Sequence, residues 1–187
     1  MLLNNVTCGY SKDIMPIQNF SVTLAERGVI AILGNSGCGK STLLKAIAGF
    51  LPITCGEIVG RDRLRFSMVF QENRLINALS AYKNIALVTN ESERIALSLK
   101  IVELSDKANI STISDLSGGM QRRVAIARAI AYSGDVLLLD EAFTGLDTDL
   151  LKRIAKRLGD NFPLVIAVTH NIEEAKAIGN IAQIIEL

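Results

Sequence analysis

Tryptophan is absent from this sequence, histidine occurs once, and cysteine and proline occur three times each. An odd, sparse set of cysteines (Cys8, Cys38 and Cys55) argues against a disulfide framework and for a reducing compartment. With His170 the sole histidine, no Cys/His cluster of zinc-ligand spacing can be drawn. Charge is nearly balanced, 20 basic against 19 acidic residues, so no global field favours nucleic acid or an acidic membrane surface. No apolar run approaches the roughly 20 residues that span a bilayer. The N-terminus, Met1-Leu2-Leu3-Asn4-Asn5, lacks a basic region and a long apolar stretch, so no signal peptide is expected. A chain of this kind that serves a membrane does so through a partner.

At 187 residues with 49% hydrophobic content, the sequence fits one globular domain with a proper core. The stretch that organises it is Gly34-Asn35-Ser36-Gly37-Cys38-Gly39-Lys40-Ser41-Thr42. It follows the apolar run Val29-Ile30-Ala31-Ile32-Leu33. It opens a segment in which Leu43, Leu44 and Ile47 recur at helical spacing. Strand, glycine loop and helix with the pattern G-x-x-x-x-G-K-[ST] make a phosphate-binding P-loop. The glycines let backbone N–H groups turn inward around phosphate oxygens, and the helix adds the positive end of its dipole. Lys40 is placed to reach the β- and γ-phosphates, and Ser41 to give an oxygen to Mg²⁺. Cys38 reads as small loop filler rather than a redox group.

The remaining periodicities alternate strands with helices. Residues 2–7 and 19–24 read as strands, with a turn-like segment at 9–13 between them, and 56–60 as a short strand or turn. Residues 65–70 form a strand ending at Gln71, and 73–104 are mostly helical, followed by a loop at 105–113. Ser117 caps a helix running to about Tyr132, and Asp147 caps another that Gly159 stops. The runs 136–139 and 164–168 are apolar throughout, the mark of strands buried on both faces. Asn171 caps a short helix ending at Gly179, and 181–185 is the last strand. Such alternation implies a parallel sheet covered on both sides.

A second chemical signal is Leu137-Leu138-Leu139-Asp140-Glu141, a buried strand ending in adjacent carboxylates. Consecutive strand residues point to opposite sides, so the two can do different work. Asp140 suits the Mg²⁺ shell beside Ser41, and Glu141 suits polarising an attacking water.

At Leu116-Ser117-Gly118-Gly119-Met120-Gln121-Arg122-Arg123 the chain resembles the ATP-binding-cassette (ABC) ATPases. Taken alone, a serine and two glycines at a helix start are an ordinary capped entry. In order with the P-loop and Asp140-Glu141 they match the family signature L-S-G-G-Q, with Met120 where glutamine is usual and Gln121 one position later. The resemblance implies that Ser117, Gly118 and Gly119 clamp the γ-phosphate of ATP held by a partner subunit's P-loop. It further implies that Tyr10 stacks on adenine, that Gln71 joins metal and water to the helical region, that Asp147 belongs to the D-loop, and that His170 contacts the γ-phosphate.

The implied fold is α/β: a P-loop NTPase core (about 1–71 and 117–187), mainly a parallel sheet flanked by helices, with a trimmed antiparallel β subdomain and a helical insertion at about 72–116. The implied function is a cytoplasmic ATPase subunit, peripheral on the inner face of the cell membrane. It would use ATP and Mg²⁺, pair as a homodimer or pseudo-symmetric dimer, and drive a separate membrane permease, with no nucleic acid partner. Phe70-Gln71-Glu72-Asn73-Arg74-Leu75 resembles the same stretch in bacterial importers of nitrate, sulfonate and taurine type. Two other readings stay open at this point: a soluble ABC ATPase without a permease, as in cluster assembly, and another P-loop NTPase or kinase. No C-terminal regulatory domain is expected after residue 185.

Overall fold

The computed structural model describes residues 1–11 and 13–187; Lys12, inside the expected turn at 9–13, lies outside them. Two sheets carry the chain. Strands β1 (Leu2–Cys8), β2 (Ile17–Thr23) and β4 (Ile53–Val59) form an antiparallel sheet of order β2-β1-β4. Strands β3 (Gly28–Leu33), β5 (Phe66–Val69), β6 (Val136–Asp140), β7 (Leu164–Val168) and β8 (Ile181–Glu186) form a parallel sheet of order β5-β6-β7-β3-β8.

Alternation along each central strand divides the core in two. Ile30, Ile32, Leu138, Ile166 and Val168 face helix α1 (Lys40–Ile47) and the antiparallel sheet. Val29, Ala31, Leu137, Leu139, Val165 and Ala167 face the opposite layer. That layer contains α5 (Gly118–Tyr132), α6 (Thr148–Asn161) and α7 (Ile172–Ile178). Every residue of β6 and β7 is buried, which explains why their sequences are apolar without alternation up to Asp140.

Between β5 and α5 the chain forms α2 (Ala81–Ala86), α3 (Ser92–Ile101) and α4 (Asp106–Ile110). The loop expected at 105–113 contains a helical turn over Asp106–Ile110, because the Ser105 side chain accepts a hydrogen bond from Ala108 N and caps it. Residues 73–80 are not helical; the buried Asn84 side chain holds them by bonding Ile76 N, Ile76 O, Leu79 O and Ser80 O. The short strand or turn expected at 56–60 is the second half of a seven-residue strand that ends at Val59, with Gly60 in the turn that follows. Among the described residues no helix is long and apolar enough to cross a membrane.

Gly159 does not stop its helix, which continues to Asn161. Its reason lies elsewhere: a Cβ there would stand 1.9 Å from the carbonyl oxygen of Ile178. Backbone contact at that distance leaves room for hydrogen alone, and it sets how closely α6 and α7 pack. Gly159→Ala should therefore lower stability by about 1–3 kcal/mol through overpacking. Thermal or urea unfolding measures it, and an unchanged midpoint would contradict this packing.

Candidate nucleotide-binding site

Leu33 ends β3, and residues 34–39 turn the chain into α1. A side chain at Gly34 would place its Cβ 2.5 Å from Leu187 O, and one at Gly39 would meet Ile17 Cδ1 at 2.8 Å. Both positions also hold positive φ, so glycine alone fits the tight curl. Asn35, Ser36 and Gly37 lie towards its tip, and Cys38 is half-buried. Lys40 is buried, and its Nζ donates to Gly34 O and Asn35 O, both at 2.8 Å. The loop thus wraps its own lysine, with the ammonium held at the centre of the curl.

Parallel neighbours bring three further strand ends to this edge. Ser41 Oγ donates to Asp140 Oδ1 at 2.7 Å, joining α1 to the end of β6. Asp140 is 2% exposed, whereas Glu141 beside it is half-buried. Gln71, just beyond β5, donates from Nε2 to Glu141 Oε2 at 3.3 Å. His170, just beyond β7, has Nε2 2.6 Å from Glu141 Oε1. Glu141 itself sits at φ 47°, uncommon for a residue with a side chain. Its N–H donates to Val168 O, and its carbonyl accepts from Thr144 Oγ1.

A cavity of about 280 Å³ opens over the P-loop, lined among others by Tyr10, Ser36, Lys40, Thr42, Gln71 and Glu141. Tyr10 is exposed at its rim, with its hydroxyl 3.3 Å from Lys45 Nζ. The structure therefore brings the P-loop, Tyr10, Gln71, Asp140, Glu141 and His170 to one end of the sheet.

The signature residues are not among those lining this cavity. Ser117 caps α5 through Met120 N, and beyond its own helix backbone a Cβ at Gly118 would have no atom within 4 Å among the described residues. Gly119 lies against Gly145 O. Met120 packs on the core, and the Gln121 amide donates back to Ile113 O and Leu116 O. Asp147 caps α6, its Oδ1 accepting from Leu150 N at 2.9 Å. Within a single chain these groups stand apart from the P-loop cavity.

Sequence reasoning missed Arg122. One turn into α5 and 3% exposed, it donates from Nε to Ala142 O at 2.7 Å and from Nη2 to Glu141 O at 2.8 Å and Asp140 O at 3.3 Å. Its Nη1 donates to Phe70 O, to Gln71 O at 3.1 Å and to Asn73 Oδ1 at 3.2 Å. One signal pointed to it: an arginine on the buried stripe of an otherwise apolar helix face needs acceptors.

A model of the family described as ABC transporter matches residues 17–144. The chain belongs to the ABC transporter family. It is 37% identical over 190 residues to a taurine import ATP-binding protein of Rhizobium johnstonii, covering 91% of this chain and 71% of that protein. It is 38% identical over 197 residues to a spermidine/putrescine import ATP-binding protein of Haemophilus ducreyi, of which it spans only 52%. A dimeric ATP-binding cassette solved in a post-hydrolysis state with ADP and Pi superposes with a TM-score of 0.82 at 28% identity, over 94% of this chain and 90% of that one. This chain is an ATPase of the ABC family with the P-loop NTPase fold.

Burial pushes the Asp140 carboxyl above its ordinary value, and the Ser41 hydrogen bond opposes that without reversing it. A carboxyl raised in the folded state binds more protons folded than unfolded. Its contribution to stability is thus fully present at low pH and lost as pH rises through the raised value. Asp140→Asn removes the buried charge and keeps an acceptor for Ser41. In metal-free buffer at neutral pH it should raise stability by about 1 kcal/mol, read as a higher melting temperature. A lower one would contradict the burial argument.

Proposed function

We propose that this ABC ATPase is the nucleotide-hydrolysing subunit of a membrane transporter and works as a head-to-tail dimer around two ATP molecules. The observation that carries the hydrolytic part is the convergence of Gln71 and His170 on the two oxygens of Glu141 beside the P-loop cavity. A carboxylate gripped at that edge is aimed by its neighbours and can orient a water for attack on the γ-phosphate.

Each residue has a role in this reading. Backbone N–H groups from Gly34 to Thr42 take the phosphates, Lys40 neutralises their charge, and Tyr10 offers its ring to adenine. Ser41 Oγ, Asp140 Oδ1 and the Gln71 amide oxygen form an all-oxygen set suited to a hard cation, and the first two are in contact at 2.7 Å. Mg²⁺ held there would supply positive charge against the developing charge on the transferred phosphoryl group. His170 holds the γ-phosphate side of the site.

The other half of each site comes from a second copy. Ser117, Gly118 and Gly119 present an open helix N-terminus and backbone amides, with Gly118 unobstructed. Met120 and Gln121 follow them on the same turn, and Asp147 belongs to the D-loop that lies across the dimer seam. The dimeric state of the solved relative supports this geometry. One chain then makes a single ABC domain, with 72–116 as its helical insertion.

The import names of the curated relatives support coupling to a separate permease at the inner membrane face. An apolar groove of about 350 Å³ lined by Phe50, Phe66, Phe70, Leu87 and Tyr132 lies next to Gln71 and offers a surface for that partner.

Glu141→Gln should bind ATP normally, hydrolyse it at least about 100-fold more slowly, and accumulate as an ATP-dependent dimer on size-exclusion chromatography. A variant that turns over like the parent, or stays monomeric with ATP, would overturn this reading.

A further inference from the structure

Among the described residues, Arg122 is the only side chain whose hydrogen bonds reach both the segment after β5 and the segment after β6. Gln71 and Glu141 project from those two segments, so the guanidinium sits behind both of them. Its targets are mainly main-chain carbonyls, which cannot move without moving the side chains attached to the same backbone. The Glu141 carbonyl is among them, and Glu141 holds a left-handed φ that its own side chain disfavours. A buried guanidinium bound on several sides is a rigid fork. It grows from α5 one turn beyond Ser117, Gly118 and Gly119.

We propose that Arg122 is a positioning residue of ATP hydrolysis: it locks the backbone that aims Glu141 and Gln71, and ties their alignment to the helix that begins at Ser117. The consequence is mechanical. When that helix start engages a phosphate, any shift of α5 passes through the guanidinium to the carbonyls of Asp140, Glu141 and Ala142. The proposal rests on Glu141 being the residue that orients the attacking water. Arg122 itself touches neither substrate nor metal.

A purely structural arginine would, when altered, weaken folding, ATP binding and turnover together. A positioning arginine acts on turnover. Arg122→Lys keeps the charge but concentrates its donors at one point, so it cannot serve both segments. It should lower kcat about 10-fold while leaving KM for ATP and ATP affinity within about twofold. In the Glu141→Gln background, measured in single turnover, the same change should cost nothing further, because the group it positions is gone.

A parent-like kcat in Arg122→Lys overturns the proposal. So does a loss that multiplies undiminished in the Glu141→Gln background. A parent-like rate in Glu141→Gln alone instead removes the reading on which the proposal rests. If Arg122→Lys shows no cooperative melting transition, Asn73→Ala decides. It deletes one acceptor and keeps the guanidinium, and should lower kcat about threefold at constant KM; no change in kcat would overturn the proposal.

Discussion

All five strands of the parallel sheet run the same way, so their carboxyl ends share one edge, and the whole site hangs from that edge. The P-loop leaves β3, Gln71 leaves β5, Asp140 and Glu141 leave β6, and His170 leaves β7. Residues far apart in the chain, such as Ser41 and Asp140, meet because β6 and β3 flank β7 in register. Parallel order in turn demands crossover helices on both faces, which is why β6 and β7 are apolar almost from end to end. The burial that builds the sheet also places Asp140 where its charge is costly, so stability and site chemistry oppose each other at that residue.

Much of this was legible in sequence because the signals are local. A glycine pattern between an apolar run and a helical stripe, a carboxylate pair ending a strand, and Ser, Asp or Asn before a helix all act over a few residues. Ser117, Asp147 and Asn171 each cap the helix that their positions indicated. Features that depend on distant backbone were not legible. Gly159 looks like a stop, but it answers to a carbonyl in another helix. Arg122 stands out only as a charge on an apolar helix face; its partners are mainly main-chain oxygens in two remote segments, which the sequence does not announce. The α4 turn was hidden by its brevity and depends on the single cap at Ser105.

Viewed as one chain, the site is unevenly furnished. The P-loop side is crowded, with Lys40, Ser41, Asp140 and Glu141 tied to their surroundings by hydrogen bonds. The start of α5 is bare, with open space beside Gly118, although its helix is anchored to the crowded side through Arg122. A helix N-terminus prepared for an anion and set apart from its own P-loop suits a nucleotide presented by another copy. In the proposed arrangement ATP binding would bring two chains together, and hydrolysis would remove the phosphate that both of them grip.

The composite site is tested most directly by mixing two inactive chains, one carrying Lys40→Ala and the other Gly118→Asp. Beyond its own helix backbone, a Cβ added at Gly118 meets no atom within 4 Å among the described residues, so the effect of the new carboxylate falls on whatever approaches that surface. In a head-to-tail dimer of the two, one site carries both lesions and the other is intact. Phosphate release from the mixture should then rise well above the sum of the two proteins measured alone. A mixture no more active than that sum would contradict shared sites.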